Sequence, residues 1–418
     1  MTDRATTPNA RAAEIARHSY GKLLAVLAAK TRDLTQAEDA LAEAFGRALS
    51  SWPARGVPAH PEAWLVRVAL NTFIDDRRSA ATRHRESLSL TEETLERLGA
   101  APEEDMPLQS PAFDRRVDLL FACSHPAIQE AVRTPLMLQT VLGLEVKVIA
   151  TVYAMPAATL AQRLVRAKRK IKAAHIPFHV PATEALDERL AFVLEAIYAA
   201  YSLDWTSLDE DGDDLRGEAL YLANLVAQRL PVPEAMGLEA LLAFLSARHA
   251  ARFDAAGALI PLSEQATDAW DGRLIAHGEM LLRHAVRARE PGRFQLEASI
   301  QSAHLARRSG QPVDWPTVVK LYQGLLVIAP TLGAAVAYAA AVGEAFGAES
   351  GLAALHATDG QRELERFQPY WATRAHLLER AGQLREARSA LDRAIAMCTN
   401  LPLRRHLERT RRAWSNRE

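Results

Sequence analysis

Leu160, Leu164, Ala167 and Ile171 recur at i, i+4, i+7 and i+11, a spacing that places them in one narrow arc of an α-helix. Roughly opposite stand Gln162, Arg166 and Arg169, flanked by Arg163 and Lys170. Just upstream, Leu144, Val148, Ile149 and Val152 mark a shorter helix. Ala154-Met155-Pro156 breaks the chain between the two, and Pro156 suits the first position of a new helix, where its missing N–H costs nothing. Two helices joined this tightly, the second apolar on one side and cationic on the other, constrain this stretch to a helix-turn-helix. Such a helix can present guanidinium and amide groups to the major groove of duplex DNA. A solvated charged helix in a bundle is the plainer alternative.

Everything around this stretch also reads as helix. Ala and Leu are abundant and β-branched runs are short, and 418 residues make two to four domains the expectation. The net charge of −1 excludes a uniformly basic protein but not local basic faces. Two cysteines, Cys123 and Cys398, do not form a disulfide framework and suit a reducing cytosol. The polar N-terminus lacks the apolar segment of a signal peptide, and no uninterrupted apolar run is long enough for a bilayer. A soluble, cytoplasmic protein with no membrane contact is expected.

Four segments follow. Residues 10–86 form a first helical block. Residues 87–111, with Glu103, Glu104, Asp105 and Pro107, are acidic and lack a sustained apolar stripe, as expected of a linker. Residues 112–176 form the block that holds the helix-turn-helix. The prolines at 177 and 181 then interrupt the pattern, and residues 183–418 form a helical extension. Its breaks are the acidic loop at 209–214, the Pro231/Pro233 pair, the Gly257 turn and the Pro312/Pro316 segment. Near its end, Ala375 and Leu378, then Ala387, Leu391 and Ala394, fall on facing sides of two helices. Gly382 closes the turn between them and Pro402 stops the second helix. Small residues at such spacing resemble a tetratricopeptide repeat.

In the first block, Leu34 to Phe45 carries the apolar stripe Ala37, Leu41, Ala44, Phe45. Thr35 and Glu38 have the spacing of a capping box. Ser51-Trp52-Pro53 leads into a loop, and Pro61 opens a helix through Asn71 and Asp75 to Arg77 and Arg78. Trp64 and Phe73 beside clustered Arg would suit single-stranded DNA, because bases stack on aromatic faces while Arg neutralises phosphates. A core role for Trp64 is the competing reading.

The run from Ala158 to Lys168 resembles the recognition helix of region four in sigma factors of the extracytoplasmic-function type. The two stretches of the first block resemble sigma region two. The resemblance implies an all-α fold: two small helical sigma domains on a linker, then a tetratricopeptide-like extension. It implies DNA contact at an upstream (−35-type) element by Thr159, Gln162, Arg163, Arg166, Arg169 and Lys170. It implies downstream (−10-type) contact or shaping by Trp64, Asn71, Asp75, Arg77 and Arg78. Glu38, Asp39, Glu43 and Phe45 become the expected polymerase contacts. The partners would be core RNA polymerase, double-stranded and melted promoter DNA, and a protein on the extension. No cofactor, metal or catalytic residue is expected. The stretch Phe113 to Pro126 is similar to the entry to region four in the subgroup with a C-terminal extension, with a single Cys123 where that subgroup pairs two.

The second functional reading is a helical-repeat scaffold that acts by binding proteins, with a vestigial DNA-binding module. Cys123 with His125 lacks further ligands at metal spacing. The 209–214 loop lacks the closing Glu of a calcium loop. No phosphate-binding glycine loop or nucleophile elbow is present in the sequence.

Overall fold

Helix formers fill the long segments and prolines or left-handed residues sit where they end, and the structure follows that punctuation. The computed structural model describes residues 7–83, 114–182, 185–205, 215–357 and 364–415, with the side chains of 78–83, 204–205 and 415 excepted. Among them every regular element is helical, apart from one isolated bridge between Phe253 and Leu259. No single helix among them is long and apolar enough to cross a membrane. The expected linker at 87–111 and the acidic loop at 209–214 lie outside the described residues.

The chain divides into two compact units, residues 1–202 with 211–225, and residues 203–210 with 226–418. The first unit opens with α1 (Pro8–Thr31), α2 (Leu34–Arg55) and α3 (Pro61–Arg83), which pack on one another. Ala37, Leu41 and Ala44 are fully or almost fully buried, as the stripe requires. The cap of α2 differs from expectation. Asp33, not Thr35, is the N-cap, and its carboxylate accepts from the Gln36 N–H at 3.2 Å, while Thr35 is exposed. Helix α2 also runs past Trp52 and Pro53 to Arg55, where a loop was expected. Trp52 is 2% exposed and anchors that last turn in the core.

Next come α4 (Arg116–Cys123), α5 (Glu130–Thr140), α6 (Val146–Val152) and α7 (Ala157–Ala173). Helices α6 and α7 meet at 109°. Pro156 is the N-cap of α7, one position before its expected place, and Ala154 takes up the turn in the left-handed region at φ 47°. Leu160, Leu164, Ala167 and Ile171 are buried as the period demands. On α6 the stripe is narrower than expected: Ile149 is buried, whereas Val148 and Val152 are 45% and 49% exposed.

Two further helices, α8 (Leu186–Trp205) and α9 (Leu215–Arg229), supply partners to this block. Arg189, 5% exposed, donates to the Phe121 carbonyl and lies over its ring. Arg133 pairs with Glu188 at 3.3 Å and covers the Phe192 ring at 4.5 Å. Arg116 donates to Asp114 and to Glu218 and stacks over Tyr221.

The second unit contains α10 (Pro233–Ala247), α11 (Gly272–Arg287), α12 (Arg293–Leu305), α13 (Trp315–Ile328), α14 (Leu332–Phe346), α15 (Ala348–His356), α16 (Gln368–Arg380), α17 (Leu384–Met397) and α18 (Leu401–Ser415). Glu234 of α10 caps α12 by accepting the Phe294 N–H at 2.7 Å. Helices α16 and α17 form the expected hairpin, with Gly382 at φ 78° in its turn and Ala375, Leu378, Ala387, Leu391 and Ala394 buried. Pro402 does not stop α17, which ends at Met397; it lies in the first turn of α18. Helix α18 meets the Gly257 turn, where Leu259 N–H donates to the Pro402 carbonyl and Arg409 pairs with Asp254 at 2.7 Å.

Candidate nucleic-acid and polymerase interfaces

Helix α7 carries its cations on two flanks of the buried stripe. At about 100° per residue, Arg163, Arg166 and Lys170 fall on one side and Lys168 and Lys172 on the other. Gln162, Arg166, Arg169 and Lys170 are exposed, and Thr159 and Arg163 are half-buried. The structure therefore brings all six expected upstream-element residues to accessible positions on one helix. No ion pair of Arg163, Arg166, Arg169 or Lys170 exists among the described residues.

The other flank is neutralised. Lys168, 8% exposed, places Nζ at 2.6 and 2.8 Å from the two carboxylate oxygens of Glu38 on α2. Lys172 reaches the buried Asp33 at 2.7 Å. Burial raises the Glu38 carboxyl above the ordinary carboxylate value, Lys168 partly offsets this, and Asp39 adds to it. Close packing accompanies the pairs, for Gly21 of α1 lies against the Val141 carbonyl so tightly that a Cβ would overlap it. Lys168 carries no signal in sequence that separates it from its neighbours; its distance from Glu38 along the chain hides the pairing.

Of the expected polymerase contacts, Asp39 and Glu43 are exposed on α2 and Phe45 is half-buried. Glu43 forms a same-helix pair with Arg47. Glu38 is already engaged, as described.

On α3, Asn71 and Asp75 are exposed, and the Arg77 guanidinium lies 5.2 Å over the Phe73 ring. Phe73 is 2% exposed, so it is a core residue and not a platform for bases. Trp64 is half-buried in an edge-to-face contact with Trp52 at 5.5 Å, which gives the core reading weight. Arg78 lies among the side chains outside the described part.

A three-helix block is followed by a block whose last helix, α7, presents exposed cations. Residues 15–83 match the family model for sigma-70 region 2, and residues 189–286 match a family of unknown function termed DUF6596. An uncharacterized protein of Rhizobium meliloti (strain 1021) is 36% identical over 375 residues, covering 88% of each chain. No solved structure matches. The chain belongs to the extracytoplasmic-function type of sigma factor that carries a C-terminal extension. That family is not enzymatic. Membership carries a role in polymerase binding and promoter melting.

Proposed function

We propose that this chain binds core RNA polymerase and directs promoter-specific initiation through two separate surfaces. Helix α7 reads an upstream element, with its Gln162–Arg166 face in the major groove. Helix α3 and the edge of Trp64 hold a melted downstream element, with Asn71, Asp75 and Arg77 shaping that surface. The exposed acids of α2, Asp39 and Glu43, dock on polymerase together with Glu38. It does no chemistry of its own; polymerase supplies the catalysis.

The observation that carries this reading is the α7 face. A helix that buries one stripe and whose four cations have no carboxylate partner among the described residues is suited to a polyanion. The extension modulates this activity, because α8 and α9 hold α4 and α5 through Arg189, Arg133 and Arg116.

Run-off transcription with purified core polymerase, on fragments from the source genome, tests the reading. Defined transcripts that require the chain are expected. Failure of the purified chain to join core polymerase disposes of it. A chain truncated near Val180 should differ from the full chain in promoter activity, and identical behaviour would rule out modulation by the extension.

A further inference from the structure

Helices α17 and α18 carry eight arginines and three acids between Leu384 and Ser415, in a chain whose net charge is −1. The α14–α15 pair of the same unit holds Glu344 and Glu349 and neither Lys nor Arg, so positive charge is concentrated on the last two helices. Leu391, Leu407 and Trp414 are buried in the core that α17 and α18 share with α16, which turns the arginines outward. Arg404, Arg405, Arg409, Arg411 and Arg412 are all exposed on α18, with Glu408 the acid among them. Arg405 and Arg409 are occupied by the Gly257 turn, through the Ala256 carbonyl and Asp254. On α17, Arg385 is exposed and Arg388 donates to the Trp414 carbonyl. Arg411 pairs with Asp392 at 3.4 Å, and both side chains are about half-exposed. The Arg385–Asp392 stretch of α17 therefore runs beside the last turn of α18. Arg385 and Arg412 form no ion pair among the described residues. A terminal repeat helix needs a polar outer face, and cations at a helix C-terminus offset its dipole. Neither reason covers Arg385 and Arg404, which stand near the starts of their helices, where the dipole disfavours a cation.

We infer that the outer face of α17 and α18 is a second holding surface for duplex DNA, in the extension and separate from the helix-turn-helix. Arg385, Arg404, Arg411 and Arg412 are the contacts. The composition of the face selects the partner. A protein interface is centred on buried aromatic or aliphatic anchors. Here Trp414 is buried, and the exposed large apolar side chain on these two helices is Leu401, at the opposite end of α18. A face made of guanidinium groups with no apolar centre suits a polyanion, and interfaces with DNA are far more cationic than those between proteins. The Arg411–Asp392 pair is no obstacle, since so exposed a pair contributes little and Arg411 can exchange Asp392 for a phosphate. The surface holds any sequence and reads none. Joined on one chain to a surface that does read sequence, it raises affinity without a new base contact.

The test uses the full chain, labelled duplexes of unrelated sequence, and fluorescence anisotropy across a series of salt concentrations. Arg385→Gln combined with Arg412→Gln should weaken every duplex by the same factor, roughly tenfold at low salt, and lower the slope of log affinity against log salt by about two. Arg385→Lys combined with Arg412→Lys should keep most of the binding, because a phosphate accepts a point charge. Arg273→Gln combined with Arg287→Gln removes the same charge from exposed positions on α11 and should change binding much less. Thermal melting followed by circular dichroism checks that each variant keeps its fold. Equal losses from the α11 pair and the α17–α18 pair would show an effect of net charge alone and overturn the surface. A wild-type chain that binds no duplex also overturns it. If the α17–α18 pair leaves duplex binding unchanged but weakens binding to core polymerase, the face meets an acidic protein and the DNA assignment is wrong. Arg166→Ala reports on α7 separately. Loss of binding there, with none from the α17–α18 pair, removes the second surface and leaves the reading of α7 standing.

Discussion

Lys168 Nζ sits between the two carboxylate oxygens of Glu38, at 2.6 and 2.8 Å, so a cation of the helix-turn-helix occupies an acid of the helix expected to meet polymerase. Removing either partner strands the other in a poorly hydrated site. Lys168→Met should destabilise the first unit by about 1–3 kcal/mol, less than for a fully buried pair because Glu38 keeps 19% side-chain exposure. The pH dependence has a definite sign. Burial holds the folded carboxyl of Glu38 above the ordinary glutamate range, so stability from this group is present below that range and lost as pH rises through the raised value. Loss of Lys168 enlarges the effect. The deficit of Lys168→Met, followed by thermal unfolding, should be greatest near pH ~7 and shrink near pH ~5.

The same contact bears on polymerase. Gly21→Val places a branched side chain where the Val141 carbonyl stands and drives α1 from α5 without altering any charge. On the proposed function, this variant frees Glu38 and should bind core polymerase more tightly than the wild-type chain, as measured by surface plasmon resonance. Equal affinity would show that polymerase does not compete with Lys168 for Glu38.

Arg133 and Arg116 take partners from α8 and α9, and Arg189 of α8 donates to the Phe121 carbonyl of α4. A chain ending near Val180 loses Arg189 and the α8 and α9 partners of the other two, and so exposes the Arg133 and Arg116 guanidinium groups together with the Phe121 carbonyl. A chain ending after Arg229 keeps them. The shorter form should melt several degrees below the longer one, since even about 1 kcal/mol moves the midpoint of a unit this size by roughly 2–4 °C. Calorimetry on the two truncations decides.

His304 titrates at about 4 because burial disfavours its charged form, and Arg248 and Arg307 add to the effect. Its ring packs edge-to-face on Trp315 at 5.3 Å. A depressed folded value means the stabilising contribution is complete above the ordinary histidine value of 6.5 and is lost as pH falls toward about 4. The second unit should therefore lose about 2–3 kcal/mol over that window. His304→Phe keeps a ring against Trp315 and removes the titration, so its melting temperature should depend less on pH in the same range.

Ala154 holds the turn between α6 and α7 at φ 47°. Only a residue without branching at Cβ tolerates this region, so Ala154→Val should cost about 1–2 kcal/mol, while Ala154→Gly should be neutral or slightly stabilising. Chemical denaturation of the two variants measures the difference.

The amino-acid sequence by itself determined the helices and their order. Leu160, Leu164, Ala167 and Ile171 place the buried stripe of α7 because the helical period is a local property of the chain. The Ala387–Leu391–Ala394 face of α17 is legible for the same reason. Boundaries were less so: Thr35 and Asp33 are both good caps, and packing of Leu34 and Ala37 selected Asp33. Tertiary structure alone decided which cations remain available. Lys168 and Arg166 are two residues apart and chemically alike, yet one is neutralised by an acid 130 positions away and the other lines a cavity. Electrostatic pairing depends on distance in space, and no periodicity along a chain encodes that.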